Sequence, residues 1–110
     1  MNIEKLIPAP VCKESFHLRR KKFVSDQSGC YVLTRFDGLV LYIGLAKNLR
    51  QRMQNHLDSS EKTSETSLGR ATMFHWLISE ELNKLERTWL NIHIENEGRL
   101  PILNKIFSPV

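Results

Sequence analysis

The sequence predicts an α+β domain, a small three-stranded antiparallel sheet flanked by helices in the order β-β-α-β-α. Three observations carry that expectation. β-branched and aromatic stretches flank an Asp37-Gly38 pair, a helix start follows at Asn48, and the apolar run ATMFHWLI precedes a long stripe of helical period. Three strands are too few for a doubly wound sheet, so helices stacked on one small sheet are the expected outcome.

Residues 1–27 show no clean periodicity, carry Pro8 and Pro10 and end in a basic run, which reads as an N-terminal basic arm packed on a domain spanning 28–110. Tyr31 to Phe36 is the first strand, Asp37-Gly38 a type I′ turn, and Leu39 to Ile43 the second strand. That turn pairs 36 with 39, which brings Tyr31 opposite Gly44 and Tyr42 opposite Leu33. Gly44 ends the strand where a side chain would obstruct a close approach. Asn48 then caps a helix running to about Leu57, with Leu49, Met53 and Leu57 on its buried face. DSSEKTSETSLG is polar and reads as a mobile surface loop. Ala71 to Ile78 is the third strand, and Ser79 with Glu80 and Glu81 starts a second helix that ends near Gly98 as its C′ residue. A short tail, LPILNKIFSPV, follows.

At 110 residues, 41% apolar and 25% charged, the chain supports one modest core. It has no apolar run of 18 or more residues, and MNIEKLIPAPVCKESF lacks a signal-peptide core, so the expectation is a soluble cytoplasmic protein with no membrane partner. Cys12 and Cys30 have no metal-ligand spacing, and His17, His56, His75 and His93 form no metal-binding repeat. Sixteen Lys and Arg against twelve Asp and Glu give a net charge of +4. Lys13, Arg19, Arg20, Lys21 and Lys22 precede the hairpin, and Lys47, Arg50 and Arg52 follow it. Two basic clusters around one hairpin point to a polyanionic partner.

Several residues stand out from their surroundings. On the second helix Leu82, Leu85, Trp89, Leu90 and Ile92 share one arc, and Glu86 lies near its middle. A buried, unpaired carboxylate costs several kcal/mol, so Glu86 is paired, hydrogen-bonded or ligated, or faces a cleft. Arg52 and His56, one turn apart, share the rim of the first helix. Tyr31 and Tyr42 sit near one end of the hairpin, and each phenol needs a polar partner if half-buried.

Together these residues resemble the GIY-YIG nuclease family of excision-repair, homing and some restriction endonucleases. The motifs are Gly29-Cys30-Tyr31 and Tyr42-Ile43-Gly44 with ten residues between them, then Ala46-Lys47-Asn48-Leu49 with Arg52 eight residues past Gly44, and His56. Leu85-Glu86 with Trp89-Leu90 is similar to the family's helix bearing a metal-binding glutamate, and Pro101-Ile102-Leu103-Asn104 to its closing Pro-x-x-Asn. The resemblance covers 28–106 in order. Leu45 stands where excision-repair members often carry a lysine, which would set the chain apart from that branch.

The resemblance implies a metal-dependent endonuclease that hydrolyses phosphodiester bonds in DNA. In this reading Glu86 binds one Mg²⁺ or Mn²⁺, Arg52 grips the phosphate, and Tyr31 is the general base with Tyr42 and His56 orienting or relaying. Gly44, Lys47, Asn48, Arg50 and Asn104 are expected at the nucleic-acid surface, Gly44 by letting backbone approach the DNA and Asn104 by holding the site together. The partner is duplex or branched DNA, with a homodimer or a partner protein supplying target specificity. The alternative is a non-catalytic nucleic-acid-binding module of the same fold that acts with a partner.

Overall fold

The computed structural model describes residues 1–105; the final five residues of the expected domain and tail lie outside them. The elements are β1 (Cys12–Ser15), β2 (Gly29–Thr34), β3 (Val40–Ala46), α1 (Leu49–Leu57), α2 (Ser60–Thr63), β4 (Met73–Ile78) and α3 (Leu82–Glu97), with 3-10 turns at Ile3–Lys5 and Leu18–Phe23. The α+β architecture is as expected, but the antiparallel sheet has four strands in the order β1-β4-β2-β3. The added strand comes from the arm: Cys12 to Ser15 pairs with Trp76 to Met73 at the sheet edge.

Alternation along β2 divides the core between two faces. Tyr31 and Leu33 point with Leu41, Phe74 and Trp76 toward Leu49 and Met53 of α1. Cys30 and Val32 point with Ile43 toward Leu85, Trp89 and Leu90 of α3. The arm is tied to the second layer where Trp89 Nε1 donates to the Pro8 carbonyl at 2.8 Å.

The hairpin reaches its expected register by another route. Asp37 does not take a positive φ, so the turn is not type I′; Gly38 alone does, at 90°. Arg35 N–H donates to Leu39 O at 3.0 Å and Gly38 N–H to Arg35 O at 2.9 Å, which leaves a three-residue tip. The register then shifts between Leu33 and Thr34, because Thr34 faces Val40 while Leu33 faces Tyr42. Leu41 is therefore a bulged residue that takes back the extra turn position. Beyond it Tyr31 faces Gly44 and Leu33 faces Tyr42, as the shorter turn would have placed them. The bulge also turns Leu41 and Tyr42 to the same side of the sheet, beside Tyr31.

β3 lies at a sheet edge, and its outer backbone groups are covered. Val40 N–H donates to Met1 O, Leu41 O accepts from Leu103 N–H at 2.9 Å, and the Asn104 amide binds both Ile43 N–H (2.9 Å) and Ile43 O (2.8 Å). Asn104 thus mimics a neighbouring strand. Asn104→Ala is expected to lower stability by about 1–3 kcal/mol, since both Ile43 groups lose their partner; thermal melts check it.

The helices show which local signals hold. Asn48 Oδ1 accepts from Gln51 N–H at 3.0 Å, so the expected cap and α1 boundaries stand. The second long helix starts later than Ser79: Ser79 Oγ accepts from Glu81 N–H at 3.0 Å as a turn, Glu81 is the N-cap, and Gly98 closes the helix at φ 74°. The polar segment after α1 is not wholly loop, for Ser60–Thr63 forms the one-turn helix α2. No helix among the described residues is long and apolar enough to cross a membrane.

Candidate active site

The tyrosines meet over Gly44. A Cβ there would lie 2.6 Å from Tyr31 Oη and 2.8 Å from Tyr42 Cε2, so only glycine lets the two rings lie across the strand. The rings are 5.9 Å apart, and Tyr31 stacks on Phe74 at 5.0 Å with 12° between planes. Gly44 was expected to admit backbone to DNA; here its missing side chain makes room for the phenols.

From α1, His56 completes the cluster. Its Nε2 lies 2.5 Å from Tyr31 Oη, and its ring stands 5.3 Å from that of Tyr42 at 71°. Burial, with Lys62 and Arg52 adding to it, lowers the His56 pKa to about 4. The imidazole is therefore neutral near pH 7, and with its proton on Nδ1 the Nε2 lone pair accepts a hydrogen bond from the Tyr31 hydroxyl. Lys62 comes from α2, its ammonium 4.7 Å from the Tyr42 ring centre. The sequence reading missed this cation, because nothing local in a Ser/Thr-rich stretch reveals that it folds back over a tyrosine.

Burial drives the Tyr31 phenol well above its ordinary pKa, reinforced by Tyr42 and opposed by Arg52. Tyr31 is fully buried. Tyr42 is only partly buried; burial again raises its phenol, while Tyr31 and Arg52 pull it down and Glu86 pushes it up. Tyr42 is thus within electrostatic reach of both a guanidinium and a carboxylate.

Arg52 Nη1 donates to Leu45 O at 3.1 Å, which holds the guanidinium at the β3 edge, where it also bears on the Tyr31 phenol. Glu86 is 8% exposed within the α3 stripe, as its helical phase implied. Burial, with the Glu86 charge adding to it, raises the neighbouring Cys30 thiol to about 12. The candidate residues therefore gather at the β3 edge, with Arg52 brought by α1 and the Glu86 charge reaching Tyr42 from α3.

The other expected residues fall around this centre. Lys47 and Arg50 are exposed at the α1 start, Arg50 Nε donating to Val24 O at 2.9 Å. The Asn48 and Asn104 side chains are engaged by backbone, at the α1 cap and on Ile43. The described residues contain no group of three or more His, Cys, Asp or Glu side chains arranged to hold a metal. His93, which the sequence places in no metal-binding repeat, is buried and donates from Nδ1 to Arg99 O at 2.7 Å, closing the α3 terminus.

Two histidines make the fold lose stability in mild acid. His56 and His75 both titrate near 4 instead of 6.5, each first through burial. Between those values the unfolded chain binds the extra protons, so stability falls as pH drops from about 6.5 toward 4. Allowing for partial exposure, each contributes on the order of 1–2 kcal/mol. Denaturant melts from pH 7.5 to 4.5 are expected to show this loss, reduced in His75→Gln.

A family model of the UvrC-like GIY-YIG domain matches residues 27–89. UvrABC system protein C of Streptococcus pyogenes serotype M5 (strain Manfredo) is 25% identical over 93 residues, covering 74% of this chain and 16% of that protein. The proteins of the same name from serotypes M49 (strain NZ131) and M3 (strain ATCC BAA-595 / MGAS315) match to the same extent. The chain thus spans about a sixth of the length of these relatives. Leu45 does not set it outside the UvrC-like group, contrary to the expectation from that position.

Proposed function

The chain belongs to the GIY-YIG family in its UvrC-like form, and from that membership we propose a metal-dependent endonuclease that hydrolyses phosphodiester bonds in DNA. The observation that carries the proposal is the Tyr42 phenol, under the influence of Arg52 and Glu86, beside a Tyr31 hydroxyl bonded to neutral His56. Phosphodiester hydrolysis needs a water losing a proton, a cation on the phosphoryl oxygens and neutralisation of the leaving oxygen.

Burial argues against Tyr31 as a free phenolate facing water. The proton route we propose runs outward: Tyr42, the less buried phenol, takes the water proton, and Tyr31 relays to His56 Nε2. Each oxygen then passes one proton and gains one, so no phenolate need exist beforehand. Arg52, anchored by Leu45 O, presents its remaining donors to the non-bridging phosphate oxygens.

Glu86 fits a hard divalent ion such as Mg²⁺ or Mn²⁺, which accepts a single carboxylate oxygen and completes its shell with water. When bound, the ion supplies Lewis-acid stabilisation for the departing 3′-oxygen. Lys47 and Arg50 offer charge to flanking phosphates, and Asn48 and Asn104 support the site through the backbone. Target choice falls to a partner protein or a second copy of the chain. Purified protein with Mn²⁺ is expected to nick supercoiled plasmid; DNA binding without any cleavage would leave the non-catalytic module as the reading.

A further inference from the structure

Beside the tyrosines lies a groove that the catalytic proposal leaves unused. It has a volume of about 390 Å³ and runs between the end of β1, the C-terminal turn of α1 and α2, with Phe16, His17, Leu57, Thr63, Arg70 and Thr72 among its walls. That size falls within the roughly 300–1,000 Å³ of small-molecule sites. The walls Phe16 and Leu57 pack in the same apolar cluster as Tyr31 and Tyr42, which sets the groove against the tyrosines.

Its chemistry is that of a planar ring with acceptor edges. Phe16 and Leu57 supply apolar surface. His17 Nδ1 accepts from Arg19 N–H at 3.2 Å, which puts the imidazole proton on Nε2 and leaves a donor. Thr72 Oγ1 is buried without a hydrogen-bond partner, so a turn about χ1 toward the groove breaks no bond. Arg70 is exposed and forms no ion pair among the described residues. Donors over an apolar floor suit a nucleobase, and a guanidinium at the rim suits its phosphate.

We propose that this groove takes an unpaired nucleobase of the strand being cut, next to the scissile phosphate. The inference rests on the endonuclease reading and narrows its substrate: a base can enter a walled groove only after leaving the duplex stack. The preferred DNA therefore carries a single-stranded, flapped or extruded nucleotide beside the cut. The residues involved, from β1 and the segment leading into β4, are outside the tyrosine–arginine–glutamate centre.

The test is binding without cleavage. The full chain, in metal-free buffer, is titrated into three fluorescent DNAs: a plain duplex, one with a single extruded nucleotide, and the same with that nucleotide abasic. The base-bearing DNA is expected to bind roughly tenfold tighter than the abasic one. Thr72→Leu, which narrows the groove, is expected to lose most of that preference, and Arg70→Ala, which removes the phosphate contact, to weaken base-bearing and abasic DNA alike, while duplex affinity falls less than twofold in both. Equal binding of base-bearing and abasic DNA overturns the proposal, as does a preference that survives Thr72→Leu with the fold intact by circular dichroism. A base preference without Mn²⁺-dependent cleavage would sink the endonuclease reading and leave the groove; cleavage without the preference would do the reverse.

Discussion

Glu86→Ala and Arg52→Ala are each expected to reduce metal-dependent nicking at least about a thousandfold, while the fold survives. Arg52 reaches phosphate only as a planar fork fixed at one corner by Leu45 O, so Arg52→Lys should recover little of the loss. Losing the Leu45 contact costs only about 1 kcal/mol, since water can reach that edge. Glu86→Ala removes a nearly buried carboxylate and leaves its contacts behind, so the variant should keep its fold but lose about 1–3 kcal/mol of stability. Plasmid nicking in Mg²⁺ and Mn²⁺, alongside thermal melts, checks both; a variant that cuts like the wild type would mean the chemistry lies elsewhere.

Gly44→Ala should also slow the reaction, through geometry alone. The added Cβ would meet Tyr31 Oη at 2.6 Å and Tyr31 Cζ at 2.7 Å, closer than real contacts allow. Tyr31 cannot retreat, because it is fully buried and stacked on Phe74. The collision is relieved only by displacing the ring and breaking its alignment with His56. A displacement of about 1 Å at a proton-transfer site costs roughly a hundredfold in rate, and overpacking costs about 1–3 kcal/mol. Single-turnover cleavage and melting temperature should both drop; an unaffected rate would show that the Tyr31–His56 contact takes no part in the reaction.

What could be read from the sequence was local or periodic. Asn48 announced α1 because an N-cap is satisfied within three residues, and Glu86 was conspicuous because helical phase alone put it among Leu85, Trp89 and Leu90. β1 escaped because Cys12 to Ser15 is a four-residue edge strand with no apolar alternation to mark it. α2 escaped because its single turn is fixed by tertiary packing, with Lys62 over Tyr42. The Tyr31–Gly44 register came out correct although the turn did not, since the three-residue tip and the Leu41 bulge offset each other. The Tyr31–His56 bond joins positions 25 apart, and no spacing rule reaches that far.

The covered edge of β3 also governs how copies of the chain can associate. Gly38 O, Val40 N–H, Leu41 O, both groups of Ile43 and Leu45 O are all taken, by residues 1–3, 103–104 and Arg52. A second molecule cannot extend the sheet there without first stripping away the chain's own clamps, which include a guanidinium at the proposed phosphate site. Self-assembly by strand addition is left to the opposite border, where β1 offers four residues bearing Lys13 and Glu14. A run that short and charged is a poor template for runaway stacking, so the sheet resists polymerising at both of its borders.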